Sequence, residues 1–445
     1  MAAIPALQPG QAGCSYRPGR VSIAPEAFNM RVAMSVSSIP STPDSSADWP
    51  RIAIVVATGI AAALQIGKVP AAIPLLRAEF GFDLTMAAVL ISMLTLTSAL
   101  VGMGMGLVAD RFGQKRLVLI GIGLNAVAGL FAIWGGGLGM LLFSRFLESI
   151  AFISITVSGP SLILRLSKGP AQRQAIAFWS CYMPAGTATM MLLALPSLET
   201  LGWRGFWLIG AALNLGVGVA FYRMLAILPD QRSQTRGLAD IWASIRLTVT
   251  SPGPVLLSTI FAAYAANYIT VFGLLTSWLI DRFGIEPGLA AAVTGIGVVS
   301  NVIGNLSTGW LLNHGVTRAQ ICAISGLVLA VLCTAIYLLP LSLGAVVVLL
   351  VVFSSVCGLV PAACFSGVGP HAPSPGLIAA TNGLIMQGSQ AGQLIIPPIA
   401  GRLVETTGQW PALLWVLVPL FLAVTLFSLM LGRLERKTAG RVGTG

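Results

Sequence analysis

The sequence predicts an all-α membrane protein, with twelve transmembrane helices in two pseudo-symmetric six-helix bundles. Three observations predict it. Of 445 residues, 56% are apolar and only 9% charged, and the mean hydropathy is +0.89. A soluble domain is about one-quarter charged, so this chain lacks the polar surface to face water. Apolar runs of roughly the 20 residues that a bilayer crossing needs follow one another from Arg51 onward. The basic residues gather in alternate loops, as they do when one side of a membrane protein stays with the cytoplasm.

Along the chain, residues 1–48 are rich in Pro, Ser and Ala, as in Val36-Ser37-Ser38-Ile39-Pro40, and read as a disordered cytoplasmic tail. No apolar run follows a basic start, so a secretory signal is not expected; Met30 and Met34 are alternative starts. The N-terminal six-helix bundle is expected over 49–227, with spans near 51–73, 84–108, 116–138, 140–164, 174–196 and 205–226. The longest polar interruption, 228–253, carries Asp230, Arg232, Arg236, Asp240 and Arg246 and reads as a cytoplasmic linker. The C-terminal bundle is expected over 254–431, with spans near 254–280, 288–312, 319–339, 341–367, 376–403 and 411–431, and a cytoplasmic tail over 432–445.

Charge position sets the orientation. With both termini cytoplasmic, 19 of the 25 Lys+Arg fall in or beside the tails and loops 2–3, 4–5, 6–7 and 8–9. Only Arg77, Arg204, Arg282 and Arg402 fall on the other side, and Lys68 and Arg145 lie inside spans. This asymmetry obeys the positive-inside rule and calls for an even number of spans. It also accounts for most of the net charge of +11, so no nucleic acid is implied as a partner. Five of the six cysteines lie in apolar spans and none forms a CxxC pair, which fits small apolar side chains rather than metal or redox work. No HExxH, GxSxG or Walker A motif occurs. The expectation is a protein that is not an enzyme, with no cofactor and no metal. Its partners are the lipid bilayer and a small-molecule substrate, and it is expected to act as a monomer in a bacterial inner (plasma) membrane.

Loop 2–3 reads Gly106-Leu107-Val108-Ala109-Asp110-Arg111-Phe112-Gly113-Gln114-Lys115-Arg116. Gly102 and Gly106 form a small-xxx-small pair that lets a neighbouring helix approach. Asp110 is placed to pair with a basic group or a helix N-terminus in one conformation and to release it in another. The plain alternative is an ordinary turn with cytoplasmic charges. Gly106, Asp110, Arg111, Gly113, Lys115 and Arg116 are therefore candidate conformational-gating residues. About 203 residues later, Gly309-Trp310-Leu311-Leu312-Asn313-His314-Gly315 is a degenerate copy, with Asn313 for the Asp and His314 for the Arg. Gly202-Trp203-Arg204-Gly205-Phe206-Trp207 is echoed by Gly408-Gln409-Trp410-Pro411. Such echoes are expected of two homologous six-helix halves.

At these residues the chain resembles the major facilitator superfamily. Loop 2–3 matches that family's signature G-x-L-x-D-R-x-G-x-K/R, with Val108 where Leu is usual. The resemblance implies two six-helix bundles, a central cavity and rocker-switch alternating access. Span one carries Gln65-Ile66-Gly67-Lys68-Val69-Pro70, span four Arg145-Phe146-Leu147-Glu148, and span five Trp179-Ser180-Cys181-Tyr182-Met183-Pro184-Ala185-Gly186. Together these look like the branch related to cyanate and nitroimidazole permeases. The drug-antiporter signature of span five, G-x-x-x-G-P-x-x-G-G, is absent, and Ser149 stands where a Gly usually follows the span-four Arg.

Ionisable groups inside a bilayer are costly and mark function by default. Three stand well inside the spans: Lys68, Arg145 and Glu148. Arg145 and Glu148 are at i, i+3 and share a helix face. Two readings follow. In the functional one, Arg145 or Lys68 binds an anionic substrate, and Glu148 neutralises the empty site or carries a coupling proton. In the plain one, the trio is a salt bridge holding spans one and four together, or the Lys68 amine snorkels to the interface. The trio's net charge of +1 suits a small anion better than an organic cation.

The second half offers neutral polar groups. Tyr264, Asn267 and Tyr268 share one face of span seven, and span eleven carries Asn382, Gln387, Gln390 and Gln393. In the family, spans one, four, seven and ten line the cavity, with contributions from five and eleven. This makes Tyr264, Asn267, Tyr268, Asn382 and Gln390 candidate substrate ligands, with interhelical hydrogen bonding as the alternative. Phe178, Trp179 and Tyr182 are placed to wall the site. Trp203, Trp207 and Trp410 read as interfacial anchors, and His314 and His371 as loop residues near the cytoplasmic face. The expected function is secondary active transport of a small anionic or weakly acidic solute, coupled to protons. Drug or metabolite efflux by antiport is the alternative, and a transporter-like solute sensor a third reading.

Overall fold

A backbone that crosses lipid must satisfy its own hydrogen bonds, so the apolar runs fold as helices. A computed structural model describes residues 47–226, 238–374 and 377–442; within these, some side chains are not described, among them those of Asp110 and Arg111. Of the expected tail over 1–48, all but Ala47 and Asp48 lies outside the described residues. Asp48 opens the first helix, α1 (Trp49–Phe80): its carboxylate accepts the Arg51 N–H at 3.2 Å and pairs with the Arg51 guanidinium at 2.7 Å. The helix stops at Gly81, whose φ of 67° suits a residue without Cβ.

Span two is broken. It comprises α2 (Leu84–Ser92), a 3₁₀ turn (Met93–Thr95) and α3 (Leu96–Phe112). Spans three and four are α4 (Gln114–Trp134) and α5 (Leu138–Leu166). Span five begins with α6 (Gly169–Ser180) and continues into α7 (Tyr182–Leu225). At Gly202 (φ 64°, ψ −177°) the helical path of α7 breaks, and span six follows. After α8 (Leu238–Thr250), the second half runs through α9 (Pro252–Phe283), α10 (Pro287–Asn313), α11 (Arg318–Leu338) and α12 (Leu343–Ser366). The short α13 (Val368–His371), α14 (Ile378–Thr407), a 3₁₀ turn (Trp410–Leu413) and α15 (Leu414–Val442) complete it.

Among the described residues, ten helical stretches are long and apolar enough to cross a membrane. One of them is the whole of α7, which the break at Gly202 divides into two spans. The polar α14, 30 residues long, is not among the ten; with it the spans number twelve. Two elements were not foreseen. The stretch expected as a linker contains α8, and α15 continues through most of the expected tail, to Val442.

The repeat is structural. α1 and α9 both have 32 residues, and α9 ends on Gly284 (φ 64°) as α1 ends on Gly81. Span one crosses span five closely at Gly186, where a Cβ would strike the Ile60 carbonyl. Span seven crosses span eleven in the same way at Gly392, against the Ala262 carbonyl. In both halves an indole at the start of the last span bonds a carboxylate at the end of the first. Trp203 donates to Glu79 at 2.6 Å, and Trp410 donates to Asp281 at 3.1 Å.

The even number of spans brings the described chain ends to one end of the bundle, the termini face. Contacts there agree: Asp48 N–H donates to Leu166 O at 2.9 Å, and His371 and Arg318 both meet Glu435, at 2.9 and 3.0 Å. At the opposite face the two halves close on each other along spans two and eleven and spans five and eight. A Cβ on Gly401 would lie 2.9 Å from Ala88 Cβ, and Leu84 N–H donates to Glu405 at 2.9 Å. A Cβ on Gly288 would lie 3.1 Å from the Leu195 backbone.

Candidate functional site

The three intramembrane charges meet. Glu148 on α5 pairs through one carboxylate oxygen with Lys68 on α1 and through the other with Arg145 one turn earlier on its own helix. Lys68 is 2% exposed, Arg145 and Glu148 0%, so of the alternatives for Lys68 the amine turns to the carboxylate and does not snorkel to the interface. Burial at this depth makes unpaired charge very costly, which is why the ammonium turns inward to the carboxylate.

The trio carries one positive charge in excess, and neutral dipoles surround it. Lys68 also donates to the Gln65 side chain and lies 4.7 Å from the centre of the Trp207 ring, a face that attracts cations. Arg145 donates to the Leu90 carbonyl and to the Gln65 carbonyl, each at 3.1 Å. Leu90 lies just before the 3₁₀ turn of span two. Beyond that turn the Thr97 N–H donates to the Ser149 hydroxyl at 2.8 Å. Ser149, which replaces the glycine usual in the family, therefore supplies an acceptor at the break in span two. Spans one, two and four are joined through one buried charge cluster.

Gln65 and Trp207 were not among the sequence candidates. Gln65 precedes Lys68 by one helical turn, a spacing that marks it as a neighbour on the same face. Trp207 had no such signal. It is 1% exposed and Trp203 4%, so the interfacial-anchor expectation is corrected for both: they pack inward at 5.4 Å from each other.

In the second half the corresponding place is aromatic. At the repeat of 203, Gln65 and Lys68 correspond to Tyr268 and Val271. Tyr268 packs on Phe272 at 4.7 Å, Phe272 on Phe353 at 6.1 Å and Phe353 on Phe421 at 5.9 Å. Tyr264 stacks with Phe261 at 5.8 Å, and its hydroxyl reaches Asn301. Asn267, on the same helix, is 0% exposed, and neither its amide nitrogen nor its amide oxygen has a partner among the described residues. A buried amide left unpaired costs stability unless something else satisfies it.

The remaining candidates scatter. Tyr182 is half-buried against Trp179 at 4.8 Å. Phe178 is 55% exposed and meets Trp49. Asn382 is exposed, and Gln390 is half-buried with an unpartnered amide oxygen. Neighbouring Gln387 bridges the halves, donating to Ala99 O at 2.9 Å. In loop 2–3, Gly113 takes φ 91° where α3 turns into α4. The Lys115 ammonium reaches the Leu225 and Ala226 carbonyls at 3.3 and 3.2 Å, the end of span six in its own half. Arg116 is exposed; the side chains of Asp110 and Arg111 and the surroundings of Gly106 lie outside the described residues. Among the described residues no group of His, Cys, Asp and Glu is arranged to hold a metal.

The geometry resembles known proteins. The bacterial homologue of the human lysosomal transporter Spinster, solved inward-facing and occupied, superposes with a TM-score of 0.69. That match has 17% identity over 86% of this chain and 96% of that one. The unoccupied form gives 0.66 with 15% identity, over 87% of this chain and 96% of that one. At this identity the likeness is one of fold. The multidrug efflux pump LfrA of Mycolicibacterium smegmatis is 26% identical over 217 residues, 48% of this chain and 42% of LfrA. The quinolone resistance protein NorB of Staphylococcus aureus is 24% identical over 143 residues, 32% of this chain and 31% of NorB. The chain thus spans less than half the length of the curated relatives it matches. The sequence model of the Major Facilitator Superfamily matches residues 54–386. With its helices, repeat and family match in agreement, the chain is a multi-pass membrane protein and belongs to the major facilitator superfamily of transporters.

Proposed function

We propose that this transporter moves a small anionic or weakly acidic solute by alternating access, coupled to a proton on Glu148. The observation that carries the reading is the buried trio of net charge +1, facing a second half whose candidate ligands are all neutral. An arriving anion competes with Glu148 for Lys68 and Arg145. Bound alone, it brings the buried charge to zero. If Glu148 takes a proton as it is displaced, the charge returns to +1, the value of the empty carrier. Loaded and empty forms then bury the same charge, so a proton that moves with the anion leaves the cost of burying the site unchanged. Tyr264, Tyr268, Asn267 and Gln390 supply hydrogen bonds from the other half, and Asn267 has unused bonding capacity for them. Gly106, Asp110, Arg111, Gly113, Lys115 and Arg116 act as a conformational gate, making a contact in one state and releasing it in the other.

The same reading takes the two bundles as 49–227 and 254–431, with both termini cytoplasmic in a bacterial inner membrane and the monomer as the working unit. The bacterial relatives and the placement of basic loops support it. The test is uptake of a panel of small monocarboxylates into proteoliposomes under an imposed proton gradient. Accumulation of at least one is expected, and Glu148→Gln should exchange it without accumulating it. Accumulation by Glu148→Gln that still follows the gradient refutes the coupling role, and unchanged affinity in Arg145→Ala refutes the anion site.

A second reading, efflux of drugs or metabolites, is favoured by the similarity to LfrA and NorB, named for multidrug efflux and quinolone resistance. Expression in a pump-deficient host separates the two. Resistance to quinolones or toxic cations that survives loss of Arg145 supports efflux.

A further inference from the structure

A second polar site lies away from the buried trio, at the opposite face, where the ends of α1 and α9 meet. A pocket of about 390 Å³, open to the outside, is lined there by Pro74, Arg77, Ala78, Gly81 and Phe82 from the first half and by Ser277, Ile280 and Asp281 from the second. At the repeat of 203, Pro74 corresponds to Ser277, Arg77 to Ile280 and Ala78 to Asp281. The cavity therefore straddles the pseudo-symmetry axis, and each half contributes a different charge to it.

Both charges are held in place by neutral partners. Arg77 Nε donates to the Phe82 carbonyl at 3.2 Å, which leaves its terminal nitrogens without a partner among the described residues. One oxygen of Asp281 accepts the Trp410 indole N–H at 3.1 Å, and its other oxygen has no partner among the described residues. No ion pair joins Arg77 to Asp281 among the described residues. Ser277 is 5% exposed, and its hydroxyl is buried without a partner among the described residues. A guanidinium, a carboxylate and an unsatisfied buried hydroxyl thus line one cavity.

We propose that this cavity is a binding site for a small zwitterion, a solute with a carboxylate and an ammonium on one short skeleton. The free edge of Arg77 takes the carboxylate, the geometry a guanidinium recognises best. The unused Asp281 oxygen takes the ammonium, and Ser277 bonds either group. A simple anion meets the repulsion of Asp281, and a simple cation that of Arg77. Both side chains are pre-positioned, so little ordering is lost on binding. The site is independent of the trio. It lies between the two halves at the face where they close, so any rocking motion remodels it.

The test uses the purified full chain in detergent and reads ligand-induced thermal shift with L-alanine, glycine betaine, propionate and ethylamine. A concentration-dependent rise that depends on both Arg77 and Asp281 is expected with at least one of the two zwitterions; any rise with propionate or ethylamine, such as propionate bound at the central trio, should be the same in the parent, Arg77→Gln and Asp281→Asn. Arg77→Gln and Asp281→Asn should each weaken the response by at least about tenfold. Both residues are at least partly exposed, so the unliganded melting temperature should stay near that of the parent, and the exchanged pair Arg77→Asp with Asp281→Lys should restore the response. Glu148→Gln should keep it, which separates failure of this site from failure of the central one. A propionate or ethylamine shift that falls in Arg77→Gln and Asp281→Asn as far as the zwitterion shift does, a zwitterion shift that survives in both single variants, or no shift with either zwitterion overturns the proposal.

Discussion

Replacing Glu148 by Gln keeps the shape of the side chain and removes its charge, and the cost can be worked from its contacts. Glu148 is the shared partner of Lys68 and Arg145, and the three side chains are 0–3% exposed. The substitution turns a buried cluster of net charge +1 into one of +2. Breaking a buried ion pair by removing one partner costs about 3–5 kcal/mol, and the isosteric swap adds almost no cavity cost. The remaining dipoles from Gln65, Leu90 and Trp207 were already engaged and cannot make up the difference. A second variant tests the cause. Lys68→Met together with Glu148→Gln removes one cation with the anion and leaves Arg145 on its two carbonyls, at 3.1 Å each. This pair should regain more than half of the loss, because the net charge returns to +1 and Met replaces the hydrocarbon stem. The assay is reversible denaturant unfolding in mixed micelles, followed by tryptophan fluorescence. If Glu148→Gln is as stable as the parent, or if the double variant is the less stable of the two, the electrostatic account of the cluster is refuted.

Asn267→Leu removes two unpartnered polar atoms and should raise stability by about 1–3 kcal/mol while lowering transport; a fall in stability in the same unfolding assay would show that the amide is satisfied. Ser149→Ala takes the acceptor from the Thr97 N–H and should cost about 1–3 kcal/mol for the stranded donor; an unchanged unfolding midpoint would remove Ser149 from the account of span two. Gly401→Leu pushes a side chain toward Ala88 and Leu84, where a Cβ alone would sit at 2.9 Å. Spin labels at the outer ends of spans two and eleven should then report a longer distance, and an unchanged distance would mean that this seam does not depend on close approach.

Much of the candidate site was legible before any coordinates. Charged residues are so rare in the spans that Lys68, Arg145 and Glu148 stood out by position alone, and the i, i+3 spacing already put two of them on one face. The direction of Lys68 was not legible. Periodicity does not say whether a long side chain near a helix end reaches for the interface or turns back, and a carboxylate eighty residues away decides it. Trp207 failed for a similar reason: a tryptophan near a span end has the same sequence signature whether it faces headgroups or a buried ammonium. Asn382 was placed with the cavity residues by its span, and it is exposed.

The sequence by itself determined the membrane fold, the order of the spans, the repeat and the rarity of buried charge. Lipid demands apolar composition over about twenty residues at a time, and helix-ending glycines such as Gly81 and Gly284 are local requirements of backbone geometry. Only the tertiary structure decided what the charges do. The pairing of Lys68 with Glu148, the carbonyls of Gln65 and Leu90 on Arg145, the Ser149 cap at the break in span two, and the meeting of Arg77 and Asp281 across the symmetry axis depend on how each helix is rotated and where it crosses its neighbours. Those angles are set by packing among distant segments, which no local pattern of residues encodes.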